Sequence, residues 1–124
     1  MKKLILFILV AGFLAGCYYD NEETLYPSLD KGCDTTSVTY SKSIVPIFQT
    51  NCLSCHSTSQ NAGSGGNINL EDFSMVQTLA LQGNLFGAVT HNSKNSPMPK
   101  NGAKIDTCSI TRIKIWIDHG AINN

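Results

Sequence analysis

Two thiols and an imidazole fall within five residues, Cys52-Leu53-Ser54-Cys55-His56. Cysteines three positions apart converge on one target wherever the chain between them makes a single helical turn, and a histidine next to the second is carried along. That cluster constrains everything around it. A chain of 124 residues is about one domain and buries only a modest core. Domains this small commonly need a covalent staple or a bound group besides apolar packing.

The chain begins MKKLILFILVAGFLAGC, which has the layout of a secretory signal. Lys2 and Lys3 supply the positive start, Leu4 to Leu14 the apolar run, and Ala15 and Gly16 the small residues before Cys17. The run is too short to cross a bilayer comfortably as a mature helix. Leu14-Ala15-Gly16-Cys17 resembles the lipobox of bacterial lipoproteins. The resemblance implies removal of residues 1–16 and diacylation of the Cys17 sulfur, and hence an address in the bacterial cell envelope, periplasm-facing or on the outer membrane. An ordinary secretory signal with an incidental cysteine is the plainer reading. Cleavage takes away Lys2 and Lys3 from nine basic residues and none of the nine acidic ones, so the remainder is acidic by two charges. Such a balance argues against a nucleic-acid partner.

Five cysteines are present, Cys17, Cys33, Cys52, Cys55 and Cys108. Export places them in an oxidising compartment, where spare thiols pair. With Cys17 lipidated and Cys52 and Cys55 used by the cluster, Cys33 and Cys108 remain as a natural disulfide pair.

Residues 17–32 read as a polar tether, and a flexible segment of about 15 residues spans roughly 20 Å, so the domain at 33–124 would sit close to the membrane. Its acidic residues Asp20, Glu22 and Glu23 suit a solvated linker. Helical spacing of Ile44, Ile47, Phe48 and Asn51/Cys52 predicts a short helix over 43–52, with Ser43 as cap and Pro46 tolerated in the first turn. Residues 57–67 are a Gly/Ser/Asn loop. A second helix is expected over 71–81, with Phe73, Val76, Leu79 and Ala80 on one side, Met75 on the polar side and Gly83 just past its end. Leu85 to Val89 is apolar but too short to assign. After a loop over 92–102, Asp106 caps a last helix over 107–119, lined by Ile110, Ile113, Trp116 and Ile117, with His119 at its end and Gly120 as stop. The expected class is all-α with long loops.

The pattern C-x-x-C-H is that of haem c attachment. Two thiols on one turn reach the two vinyl groups along one porphyrin edge, and the following histidine lies under the ring as proximal iron ligand. The distal ligand is expected from Pro97-Met98-Pro99, where the prolines fix the backbone on either side of the Met98 thioether. His91 is the rival distal ligand. A His/Met set leaves iron without an open position, which suits electron transfer rather than catalysis. With the helix running into Cys52-Leu-Ser-Cys55-His56, the Pro97-Met98-Pro99 loop and a last helix carrying Trp116, the chain resembles the small class I cytochromes c, and more narrowly the single-haem cytochrome lipoproteins of bacterial envelopes. The resemblance covers residues 33–122. It implies a small cytochrome c-like fold around one covalent haem, with the first and last helices packed against each other. The extra pair Cys33/Cys108 departs from the general family pattern.

Other readings remain open at the level of sequence. Cys52, Cys55, His56 and His91 could hold zinc, though adjacent Cys55 and His56 strain tetrahedral chelation and a second C-x-x-C is missing. A redox dithiol would want a βαβ pattern. A haem sensor or peroxidase would need an open sixth position, and a relay subunit would work inside a larger envelope oxidoreductase. Trp116 suits a core aromatic. Lys94, Lys100 and Lys104 bracket the Met98 loop, either as ordinary solvated surface or as a positive rim for acidic redox partners.

Overall fold

The first apolar stripe is helical over two successive registers. A π-helical turn at Tyr40–Ile44 runs into α1, Val45–Asn51, in a computed structural model that describes residues 32–124. The signal-like segment, Cys17 and the tether up to residue 31 lie outside the described residues. Ile44, Ile47 and Phe48 are buried, as their spacing requires. The helical chain starts before Ser43 because Thr39 is the better cap. Thr39 Oγ1 accepts the Lys42 N–H at 3.2 Å, and Ser43 Oγ accepts the Thr39 N–H at 3.3 Å, so Thr39 caps the turn and Ser43 satisfies the cap's own N–H. The Val45 N–H reaches back to Tyr40 O, which widens the turn just before Pro46. Proline has no N–H to donate and its ring crowds the preceding turn, so the wide turn sits where that crowding is relieved.

Cys52 leaves helical geometry at φ −127°, and a separate turn, α2 at Leu53–His56, follows. The 57–72 segment is a loop, tied by Asn61 Nδ2 to Ser57 O and Thr58 O at 2.9 Å each and by the Thr58 N–H to Glu71 Oε2 at 2.7 Å. That use of Glu71 leaves Asp72 to start α3, Phe73–Leu81, rather than Glu71 as the spacing suggests. Asp72 Oδ1 accepts the Ser74 N–H at 2.9 Å. Gly83 adopts φ 77° just past α3, as its position predicts, and turns the chain into α4, Asn84–Val89. The short apolar run at 85–89 is thus a helix that buries Leu85 and Val89. Asp106 caps α5, Thr107–Asp118, by accepting the Ser109 N–H at 2.8 Å and the Ser109 hydroxyl at 2.6 Å, which hold its carboxyl below the usual carboxylate range. Among the described residues there is no strand, and no helix is long and apolar enough to cross a membrane.

Helix α5 ends in a Schellman turn. Gly120 N–H donates to Ile117 O at 2.9 Å and Ala121 N–H to Trp116 O at 3.0 Å, with Gly120 at φ 90°. The tail then crosses the core. Trp116 Nε1–H donates to Ile122 O at 2.9 Å, and Gln77 Nε2 of α3 donates to Ala121 O at 3.0 Å. Asn124 accepts the Tyr40 N–H on Oδ1 at 2.7 Å and the Ser41 N–H on its carbonyl at 2.9 Å, so the tail covers the exposed start of the π turn. Tyr40 stands between Phe73, at 4.8 Å edge-on, and Trp116, at 5.4 Å between ring centroids. The first and last helical segments therefore pack together, with α4 between α3 and α5.

Cys33 and Cys108 are disulfide-bonded, with Cα atoms 5.6 Å apart and a sequence separation of 75. The bond ties the start of the domain to the first turn of α5, beside the hydrogen bond from Arg112 Nε to Asp34 O at 3.0 Å. Opening a loop of that length by Cys33→Ser/Cys108→Ser should lower the unfolding free energy by up to about 4 kcal/mol on a chain-entropy basis. Denaturant titration of the double variant against wild type measures it, and labelling of the unfolded, unreduced protein should find no free thiol at either position.

Candidate functional site

Helix α1 delivers the cluster. The Cys52 N–H still donates to Phe48 O at 2.8 Å, and Cys52 O then takes both the Cys55 N–H at 3.1 Å and the His56 N–H at 3.0 Å. One turn therefore carries both thiols and the imidazole. Cys52 is half-buried, Cys55 is exposed, and neither is in a disulfide. Burial pushes the Cys52 thiol up to about 11. A nucleophilic dithiol needs the opposite shift, since the thiolate is the reactive form.

His56 is oriented from behind. Its Nδ1 lies 3.1 Å from Ile68 O. A carbonyl only accepts, so Nδ1 carries a proton, and in the neutral ring Nε2 then presents its lone pair. This is the arrangement by which metal-binding imidazoles are aimed and made more basic. The segment that supplies Ile68 O is itself held against the turn, with the Leu70 N–H on His56 O at 2.8 Å and the Ile68 N–H on Gly65 O at 3.1 Å. Gly65 is buried where no side chain fits. A Cβ there would run into the Cys55 carbonyl and lie 2.8 Å from Asn61 Cα.

Ile68 also lines a cleft of about 340 Å³, together with Asn67, Asp72, Ser74, Met75, Thr78 and Leu79. Met75 is half-buried against it, not set on a solvated face as the spacing of α3 suggests, because its Sδ accepts the Asn69 N–H at 3.0 Å. That engagement gives Met75 a structural role.

Met98 lies on a loop hung from α4. Its N–H donates to Ala88 O at 3.0 Å, and its carbonyl is 3.0 Å from His91 Nε2. Pro97 and Pro99 flank it, and the Met98–Pro99 bond is cis. The loop sits close on α4. Asn95 Nδ2 reaches Asn84 Oδ1 at 3.2 Å, and the Asn95 side chain occupies the space a Cβ on buried Gly87 would need. His91 is thus joined to the Met98 backbone, with the nitrogen usual for ligation already engaged. Among the described residues no three His, Cys, Asp or Glu side chains gather as a metal cluster. Lys94, Lys100 and Lys104 are all exposed around the Met98 loop, with Lys100 Nζ 3.1 Å from Ser96 Oγ. His119 is the exposed last residue of the α5 turn, and Trp116 is a core residue.

Cys52, Cys55 and His56 are brought together on one turn, and Met98 stands apart on the α4 loop. Sequence reasoning does not reach the Ile68 carbonyl, Gly65, Gly87 or the His91–Met98 bond. Only the glycines leave a trace, as Gly65-Gly66 in a loop and as a glycine inside an apolar run. Comparison with family models, with curated proteins and with solved structures gave no match.

Gly65→Ala should force the 65–68 segment off the Cys55–His56 turn. The expected loss of stability is about 1–3 kcal/mol, as for overpacking elsewhere. Denaturant titration reads the stability, and faster solvent exchange of the His56 Nδ1 proton reads the weakened bond to Ile68.

Proposed function

We propose that this chain is an electron carrier of the bacterial cell envelope, with one haem c held through Cys52 and Cys55, His56 as proximal and Met98 as distal iron ligand, on a small cytochrome c-like all-α frame. The observation that carries the reading is the α2 turn, where two unbridged thiols and an imidazole with a free Nε2 sit together. Bound there, haem c would supply a one-electron iron couple, tuned upward by thioether ligation.

The chain's own residues have definite tasks in this reading. Cys52 and Cys55 form the two thioethers and so keep the group on a domain too small to enclose it. The Ile68 carbonyl holds the His56 proton at Nδ1 and fixes the tautomer. Ile68 and Leu79 give an apolar wall to the cleft beside the segment that orients His56. Pro97, Pro99 and the Ala88 carbonyl hold the Met98 backbone. Lys94, Lys100 and Lys104 offer a positive rim to acidic redox partners, and Cys17 anchors the protein to the membrane by its acyl chains.

Haem should remain on the polypeptide after denaturation and acid-acetone extraction. Met98→Ala should keep that covalent haem, lower the reduction potential and let the reduced protein bind CO readily. Haem that extracts into solvent defeats the reading. A wild-type protein that is high-spin and binds CO rapidly turns it into a sensor or peroxidase.

Cys17→Ser should move the protein from the membrane to the soluble envelope fraction or leave the signal uncleaved. Normal cleavage with unchanged membrane partition would refute the anchor.

A further inference from the structure

His91 stands in an unusual place. It is a non-glycine residue at φ 56°, in the left-handed region that disfavours a side chain. It lies one residue past α4, after Thr90, is half-buried, and points its ring back across the loop to the Met98 carbonyl. Resting on the haem reading above, we propose that His91 is a positioning residue for the Met98 ligand, the clamp that holds the Met98 thioether in place on iron.

The backbone around Met98 has few other means of being held. Pro97 and Pro99 carry no N–H, so over residues 97–99 the Met98 N–H is the one backbone donor. It is used on Ala88 O at 3.0 Å. The same carbonyl accepts the His91 N–H at 3.2 Å, and His91 Nε2 then takes the Met98 carbonyl at 3.0 Å. Ala88, His91 and Met98 thus close a ring of three hydrogen bonds. Both backbone polar groups of Met98 are fixed, and the direction in which its side chain leaves the backbone is fixed with them. Without the His91 ring the Met98 carbonyl keeps no partner among the described residues, and the backbone of residue 98 itself is held only by its N–H bond to Ala88.

The left-handed backbone belongs to the end of α4. The His91 N–H on Ala88 O and the Asn92 N–H on Gly87 O at 2.9 Å form a Schellman turn with His91 at its left-handed position, and this turn carries residue 91 round to residue 98. Because a carbonyl can only accept, His91 serves with Nε2 protonated, a condition that the neutral Nε2–H tautomer and the imidazolium both meet. Glutamine reaches a similar distance and carries an amide donor, so it can replace the ring.

The test uses the mature holoprotein with His91→Ala, His91→Gln and Met98→Ala. The rate of CO binding to the reduced protein reports how often the distal position opens. The far-red band of thioether-ligated ferric haem reports the closed state. His91→Ala should raise the CO rate about fivefold, the factor that corresponds to one hydrogen bond of about 1 kcal/mol. It should also weaken the far-red band and lower the potential, and His91→Gln should restore all three. A His91→Ala protein that matches wild type in rate and band, while Met98→Ala opens the site, overturns the clamp and leaves the haem reading standing. A CO rate that rises only in step with a lower thermal midpoint, and is not restored by glutamine, makes His91 merely structural and also overturns it. Loss of the low-spin spectrum in His91→Ala with none in Met98→Ala makes His91 the ligand and defeats both the clamp and the ligand assignment.

Discussion

The fold depends on the burial of Trp116 against Tyr40, and much else follows from how the indole N–H is satisfied. Trp116 is 1% exposed. A buried indole must place its one donor, and the acceptor it finds is Ile122 O, six residues on. To bring Ile122 there the chain must reverse straight after α5. Gly120 does so at φ 90°, and Ala121 follows at φ 50°. A methyl-bearing residue in that region costs about 1 kcal/mol or more. The cost is offset because the Ala121 N–H and carbonyl are both bonded and its side chain is fully buried. The reversed tail then reaches Tyr40 and Ser41 through Asn124 and fixes the start of the helix that leads to Cys52.

The candidate site inherits its order from that join and then adds its own. On the His56 side the chain closes on itself within a short span, from His56 to Leu70, and Leu70 is a core residue. On the Met98 side the loop hangs on the last carbonyls of α4, whose Leu85 and Val89 are also core. The spacing between the two sides is therefore set by how α4 lies between α3 and α5, and the phenyl ring of Phe86 under Lys114 Nζ, at 6.0 Å, is part of that contact. Gly65 lies against the Cys55 carbonyl on one side and Gly87 against the Asn95 side chain on the other, and neither leaves room for a Cβ.

Features governed by local rules were legible in the sequence. The apolar faces of α1, α3 and α5, the cap at Asp106 and the stops at Gly83 and Gly120 follow from spacing and from residue chemistry. The pairing of Cys33 with Cys108 follows from counting thiols. Features that depend on a distant partner were not legible. Thr39 and Ser43 both suit a cap, and only the bond from the Lys42 N–H to Thr39 Oγ1 shows which residue starts the helix. Helix α4 is too short for periodicity to speak, and it forms because its neighbours bury it. The bond from His91 to Met98 joins residues seven apart across an irregular loop, and a histidine before such a loop carries no signal of where its ring will point.

The loops themselves show why a polar sequence can be ordered without strands. Fixing a residue costs about 1–2 kcal/mol of backbone entropy, and a Gly/Ser/Asn segment has little apolar surface to offset it. Here side-chain amides take the place of secondary structure. Asn61 bonds Ser57 and Thr58, Asn69 bonds Thr58 and caps Glu71, and Asn95 bonds Asn84 while filling the space over Gly87. Each asparagine ties a loop either to itself or to the helix beside it, and each lies on a segment that ends at His56, Ile68 or Met98. Loop polarity in this chain is thus a means of positioning, and the residues that hold the candidate ligands are placed by amides and backbone carbonyls more than by apolar packing.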